Sequence, residues 1–363
     1  MALTDKRFAV ALYDVKIDGR TQDSALAGSL EEVVVEDCVN RPAMFCLNYM
    51  ILKPVRQGIA GVTIQDVNDD LFEQFTPGAE IDVELGINEK IKMLSGRVTS
   101  IEPDYNYNSP RLAIRGYDGM FDLRFGTKRR SFTEIKDSTV AQQIASEIGL
   151  AADVTDTSTI HPYIFQNNQS NYEFLLERGA RLDYELLVEG RTLRFGPPRE
   201  DREPEVELYF GPSTELKRFS AQLKTLTQNS EVEFRGWDAN RKAAISSKAR
   251  GGDELVIARD GQRTGFQYAT DGFRASQAAI IDEPLIDDAD AENLARAAYR
   301  RSLRNFISGE GAAVGNPEIR AGRTIRLQGL GSKFSGVYYV VSSRHKYSAQ
   351  GYETTFKVRR PNI

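Results

Sequence analysis

The stretch RLQGLGSKFSGVYYVV, residues 326–341, places three glycines within eight positions beside an apolar run. A phosphate-binding loop has this look, but its chemistry needs a helix after the glycines whose first N–H groups face the anion. Here GVYYVVSSRH follows, β-branched and aromatic, which predicts a second strand instead. The lysine of GLGSKFSG also falls inside the glycine spacing, against the order G-x-x-x-x-G-K-[ST]. The glycines are therefore read as hairpin backbone.

Other reactive side chains are sparse. His161 precedes Pro162 in a predicted loop, and His345 follows a strand and is expected to face solvent or a barrel rim. Cys38 and Cys46 have no histidine near them, so zinc spacing is lacking, and these four residues are expected to be structural. G-x-S-x-G and H-E-x-x-H are absent. With 52 acidic residues, carboxylate pairs arise by chance. No catalytic, cofactor-binding or metal-binding residue is assigned, and the chain is not expected to be an enzyme. Aromatic residues gather at Tyr105 and Tyr107, at Trp237, and at Tyr338, Tyr339 and Tyr347. They could stack on sugars or bases, but barrel cores and subunit interfaces are their commoner use.

Composition narrows the class. A chain of 363 residues with a net charge of −5 does not suit a dedicated nucleic-acid binder. KRR at 128–130 and RRSLR at 300–304 read as solvated local charge. Two cysteines make no disulfide framework, MALTDKRFAVALYDV lacks a signal-peptide core, and no apolar run is long enough to span a bilayer. Synthesis in the cytoplasm, without membrane insertion, is expected.

The elements that carry these residues repeat. PGAEIDVEL (77–85) matches AGRTIRLQG (321–329): Gly78 or Gly322 precedes an alternating strand in which Ile81 and Val83 answer Ile325 and Leu327. LSGRVTSI (94–101) and FSGVYYVV (334–341) follow, aligned on Gly96 and Gly336, and then RLAIRGY (111–117) and YETTFKV (352–358). LEEVVVED with MFCLNY, within 30–49, resembles LKRFSAQL with EVEFRGW, within 216–237. RGYD (115–118), with Gly116, is echoed by RGWD (235–238), with Gly236, and Gly329 ends the second copy's first strand. Period-two alternation marks half-buried antiparallel strands, and the glycines supply turns or close backbone approach. The expected fold is α+β and mostly β: two similar small antiparallel β-barrels, 1–125 and 206–238 plus 307–363, with an inserted α+β module from 126–205 plus 239–306.

Helical signals lie in the module. DSTVAQQIASEIGL (137–150) has Ser138 as N-cap, Val140, Ile144 and Ile148 on one face and Gly149 as its stop. SNYEFLLERGARLDYELLVEGRTLRFG (170–196) opens with a capping box, Ser170 with Glu173. Phe174, Leu175 and Leu182 give its apolar face, and a hairpin turns at Glu189–Gly190. DDADAENLARAAYRRSLRNFISGEG (287–311) is the longest predicted helix.

In this order the pieces resemble the tail hub proteins of contractile phage-like machines: the late-control protein D family, the T4 baseplate hub, and the amino-terminal hub part of type VI secretion spike proteins. QNNQSNYEFLLERGARLDYELLVEGRTLRFG (166–196), EFRGWDANRKAAI (233–245) and the run 311–360 carry the likeness. One departure is Asp183, where the family usually has glycine. The resemblance implies a homotrimer whose two barrels per chain give a pseudo-sixfold ring, adapting a hexameric tail tube to a trimeric spike around an axial channel. It implies as partners a separate spike polypeptide, the tail tube or a tube-initiator ring, baseplate wedge and LysM-type baseplate proteins, and a tape-measure protein, with the baseplate as mature location. A glycan- or cell-wall-active baseplate enzyme and a monomeric carbohydrate-binding module are the competing readings.

Overall fold

The computed structural model describes residues 10–51, 56–57, 63–64, 69–106, 109–225, 231–238, 241–251, 253, 263–271, 277–281 and 284–363. The first unit runs β1 (Ala11–Ile17), β2 (Arg20–Thr21), α1 (Ser24–Ser29), β3 (Leu30–Cys38), β4 (Arg41–Met50), β5 (Arg56–Gln57), β6 (Thr63–Ile64), α2 (Asp69–Gln74), β7 (Glu80–Ile87), β8 (Glu89–Asp104) and β9 (Arg111–Asp118). Alternation works here as expected. Ile81, Val83 and Leu85 of β7 are fully buried while Asp82 and Glu84 face outward. They share one core with Val33, Phe45, Leu47, Tyr49 and Ile114.

A first helical segment follows: β10 (Lys128–Ile135), α3 (Asp137–Glu147), β11 (Ala151–Val154), β12 (His161–Gln169), α4 (Asn171–Leu182), β13 (Glu185–Glu189) and β14 (Thr192–Gly196). The chain then lays down β15 (Val206–Tyr209) and β16 (Leu216–Leu223). A second segment comprises β17 (Glu231–Asp238), β18 (Ala243–Arg250), α5 (Gly265–Thr270), β19 (Gln277–Ile280) and α6 (Asp288–Leu303). β20 (Ile307–Val314), β21 (Thr324–Gln328), α7 (Gly331–Phe334), β22 (Gly336–Ser348) and β23 (Gly351–Arg360) complete the fold.

The fold is α+β and mostly β. Among the described residues the two strand sets do not close as separate barrels; they join in one 13-stranded sheet. The cause is β22. Its first half pairs with β21 through Gly336–Tyr339, and its second half, from Ser342, takes β3 of the first unit.

Within that sheet the repeat is plain. One set runs β7-β8-β9-β4-β3 and the other β21-β22-β23-β20-β16, all neighbours antiparallel, with the same order along the chain. Register irregularities recur at equivalent places. Val98/Ser100 corresponds to Val340/Ser342, and Leu30/Glu32 to Leu216/Arg218. Gly78 N donates to Val98 O at 2.8 Å, as Gly322 N does to Val340 O at 3.0 Å. An ion pair across β3 and β9, Glu31 with Arg111, returns across β16 and β23 as Lys217 with Glu353, signs exchanged.

Three sequence alignments are corrected by these pairings. The bonds of Val98 and Val340 set β8 against β22 two residues away from the Gly96–Gly336 match, a slip that period two tolerates because it keeps the same face. β9 and β23 align one residue away from theirs. The counterpart of β4 in the second unit is β20, not EVEFRGW, which pairs with β18 and β19 in a separate sheet. RGYD and RGWD are alike for a local reason: Asp118 caps the N–H of Met120 at 3.1 Å, and Asp238 that of Arg241 at 3.0 Å. β20 also takes the end of the predicted 287–311 helix. Gly309 and Gly311 lie under the rings of Phe219 and Phe356, where an added Cβ would approach to 2.6 and 2.5 Å, so helix stops at Leu303 and strand begins at Ile307.

The two helical segments have their own cores, one around Ile144, Phe174, Leu186 and Phe195, the other around Phe234, Leu294 and Tyr299. α3 starts at Asp137, one residue before the expected Ser138 cap. Asp137 binds Arg178 and lies 2.9 Å from His161 Nε2, so the interior claims the helix start. The capping box on α4 is present, Ser170 N donating to Glu173 Oε2 at 2.8 Å and Glu173 N to Ser170 Oγ at 3.2 Å. One helical turn, α7, sits inside the glycine loop where the sequence predicts none.

Candidate functional site

The duplicated sheet brings the two units together at β3 and β22, and a buried polar network lies along that seam. Asp37, on β3, is 7% exposed. Its carboxylate accepts from Arg320 Nε and Ser343 Oγ, and from Ala321 N at 3.3 Å. Arg320 and Ala321 precede β21, so one acid ties the first unit to two elements of the second. Burial works against the charge, but Arg320 and the Ser343 hydrogen bond outweigh it and hold Asp37 below the usual carboxylate range.

His345 lies beside Asp37 and is fully buried, contrary to the expected solvent or rim position. Its Nε2 is 3.0 Å from Ile319 O and 3.0 Å from Ser343 Oγ; Nδ1 is 2.9 Å from Tyr352 Oη and 3.1 Å from Thr354 Oγ1. A neutral ring with its proton on Nε2 fits the carbonyl. Burial pushes its pKa down to about 4, against the pull of Asp37.

Asp, Ser and His thus meet, but not as a nucleophile relay. A triad needs the carboxylate on the imidazole nitrogen remote from the serine. Here Asp37 binds the serine hydroxyl, and both Ser343 and His345 are buried. The arrangement pins strands. His161 is likewise buried at the start of β12, not in a loop, and pairs with Asp137. Cys38 and Cys46 are free thiols on the paired strands β3 and β4. No metal-holding group of His, Cys, Asp and Glu occurs among the described residues.

A second network locks the helical segments to the sheet. Asp183 ends α4 in the left-handed region, with φ +60°, at the position where the hub family favours glycine. Its carboxylate takes both terminal nitrogens of Arg304, beyond α6. Arg359 of β23 donates to Glu185 at 2.7 Å and Glu200 at 2.9 Å, and stacks over Tyr339 at 4.8 Å. Three carboxylates thus face two guanidinium groups. Burial raises Asp183 to about 6 despite Arg304, with Glu200 adding to the rise.

The residues singled out in the sequence are dispersed around these networks. Gly78, Gly322, Gly329 and Gly336 have positive φ, whereas Gly96 and Gly116 are crowded positions within strands. A Cβ on Gly116 would meet Arg97 O at 2.1 Å and the Phe45 ring at 2.4 Å. Gly236 lies in β17, against Leu285. Ser170 and Glu173 cap α4, while Phe174 and Leu175 fill the core of the first segment. Gly190, φ +62°, turns the β13–β14 hairpin beside a cleft of about 220 Å³ that Asp37, Arg41, Asp118 and Arg320 also line. Of the aromatics singled out in the sequence, Tyr105 and Trp237 are exposed, Tyr347 is half-buried, Tyr338 and Tyr339 are buried, and Tyr107 lies outside the described residues. Arg304, expected within RRSLR (300–304) to be solvated charge, is instead buried and paired with Asp183. No local pattern marks Asp37, Arg320 and Arg359; Arg320 and Asp37 stand 283 positions apart.

The whole chain shares its fold with phage tail proteins. It superimposes on the 43 kDa tail protein of prophage MuSo2 from Shewanella oneidensis with a TM-score of 0.68 at 13% identity, over 97% of this chain and 99% of that one. A tail protein from Neisseria meningitidis MC58 gives 0.65 at 12% identity, over 96% of each. The E. coli c3393 protein, a type VI secretion component described as structurally similar to the T4 tail proteins gp27 and gp5, gives 0.56 at 10% identity, over 95% of this chain and 76% of that one. The likeness to hub and tail proteins expected from the sequence is thus matched in fold. No curated protein matches the sequence. The family model described as Alg8 N-terminal domain matches residues 56–349, more than half of the chain. The protein belongs to the Alg8 N-terminal domain family.

Proposed function

We propose that this chain is a structural hub of a contractile tail or injection baseplate, and not an enzyme. Three copies form a ring whose six similar sheet units meet a hexameric tail tube on one side and a trimeric spike on the other, lining the axial channel. The observation that carries this is the duplication: five strands in one order, with the same two register irregularities, occur twice in one polypeptide. Cyclic assembly multiplies an internal duplication, so a trimer of such chains offers sixfold and threefold surfaces together.

On this reading residues 1–125 form the first tube-like unit and the carboxy-terminal strands the second. β17 is reassigned from the second unit to the helical segments, which face outward to wedge and LysM-type baseplate proteins. The net charge of −5 suits a conduit along which anionic DNA slides without being held. The spike docks on one face, the tube or its initiator ring docks on the other, and the tape-measure protein ends in the channel. The chain is made in the bacterial host cytoplasm and resides in the baseplate.

Light scattering of the purified protein, alone and with its spike, tests this. A mass of three chains is expected. A monomer at micromolar concentration in both samples, or peptidoglycan turnover abolished by one acidic substitution that spares the fold, would refute it.

A further inference from the structure

The seam between β3 and β22 has an incomplete twin. β8 is the counterpart of β22 and β16 that of β3. β22 uses its second half to bind β3, with Arg344 opposite Glu36 and Lys346 opposite Val34. The second half of β8, beyond Val98, has β9 on one side and no strand on the other among the described residues. Among the described residues β16 has β20 as its one strand neighbour, with a single parallel bridge from Leu216 to Phe210 at its start. Burial agrees: Val33, Val34 and Val35 of β3 are buried, while their equivalents Phe219, Ser220 and Ala221 on β16 are partly or fully exposed. Glu102, Pro103 and Asp104 are exposed, and Tyr105 is 65% exposed. Two half-open strand edges thus lie at the two positions that are covered in the other unit.

We infer that the free edge of β8, from Ser100 to Tyr105, takes β16 of a second copy of this chain in the register that β22 and β3 hold within one chain. The proposal rests on the ring reading above and names its contact. Carrying the internal register across sets Ile101 opposite Leu223 of the neighbouring copy, Glu102 opposite Gln222, Asp104 opposite Ser220 and Tyr105 opposite Phe219.

Chemistry supports this register. Inside the chain, Lys346 and Glu32 form a diagonal ion pair across the seam. Their equivalents are Asp104 and Arg218, opposite charges in exchanged places, as already seen for Glu31–Arg111 and Lys217–Glu353. The apolar Ile101–Leu223 and Tyr105–Phe219 pairs would cover side chains left partly or largely open. Pro103 takes the place of His345 and has no N–H, so this ladder carries one hydrogen bond fewer.

The test uses the full chain. Glu102→Cys with Gln222→Cys, at a position where antiparallel Cα atoms approach to about 4.5 Å, is expected to give covalent trimers on mild oxidation. Glu102→Cys with Arg218→Cys, out of register, and Glu102→Cys alone are expected to give none. Asp104→Arg and Arg218→Asp should each raise the concentration needed for assembly at least fivefold, and the double reversal should restore it. A trimeric wild type that cross-links equally in both pairs, or in neither, overturns the junction while leaving the ring intact. A wild type that stays monomeric overturns both.

Discussion

Replacing Asp37 with alanine removes the one carboxylate that binds Arg320, Ala321 and Ser343 together. Arg320, whose side chain is 20% exposed, is left without its counter-ion. Breaking a buried pair from one side costs about 3–5 kcal/mol, since an uncompensated charge stays behind. Taking out both charges, in Asp37→Ala with Arg320→Met, should return the part of that loss that comes from the unpaired charge. What remains is about 1–3 kcal/mol for each of the Ser343 hydroxyl and the Ala321 amide, both deprived of their acceptor. Urea unfolding followed by far-ultraviolet circular dichroism and tyrosine fluorescence measures both variants. Because the two units have separate cores, the single variant should also split one transition into two, with the probes no longer coincident. A loss under about 1 kcal/mol for Asp37→Ala, or a double variant as damaged as the two single losses added, would refute the view that this acid holds the seam.

Other perturbations probe different layers. Gly116→Ala forces a Cβ to 2.1 Å from Arg97 O and is expected to destabilise by about 3 kcal/mol or more; a loss below about 0.5 kcal/mol in the same titration would show that β9 yields freely. Ser170→Ala removes the α4 cap and should cost about 1 kcal/mol, and an unchanged midpoint would refute the capping role. The pH profile pits His345 against two buried acids, Asp118 and Asp183, the latter raised by burial to about 6. His345 falls to about 4 from an ordinary 6.5, so its contribution is full above pH 6.5 and is lost as pH falls towards 4, worth about 3 kcal/mol. Asp118 is raised to about 7 by burial, so its contribution is present at low pH and fades as pH rises from 4 through 7. His345→Gln should therefore leave a chain whose stability declines with rising pH across 4 to 6.5 more steeply than the wild type; parallel profiles would refute the assignment.

Sequence reasoning reached the repeat because alternating strands and turn glycines leave local traces. LEEVVVED and LKRFSAQL show their true register in the residues alone, and the Ser170–Glu173 box is legible directly. It missed β20, whose Gly309 and Gly311 erase the alternation that marks a strand, and it let the neighbouring helix run on. It set Gly96 against Gly336 because a slip of two residues preserves every inward and outward side chain. The burial of His345 was invisible, since its partners come from Ile319, Tyr352 and Thr354 on elements that only the folded sheet assembles. The joining of two expected barrels into one sheet was equally hidden, because nothing local announces that a long strand will change neighbours halfway.

That change of neighbour decides how the protein carries load. Two domains touching only through side chains part when one is tugged, a few contacts at a time. β3 and β22 instead share main-chain hydrogen bonds from Ser342–Cys38 to Ser348–Glu32. These bonds lie across the strand direction, so a pull along the strands strains them simultaneously, and either the whole row holds or none of it does.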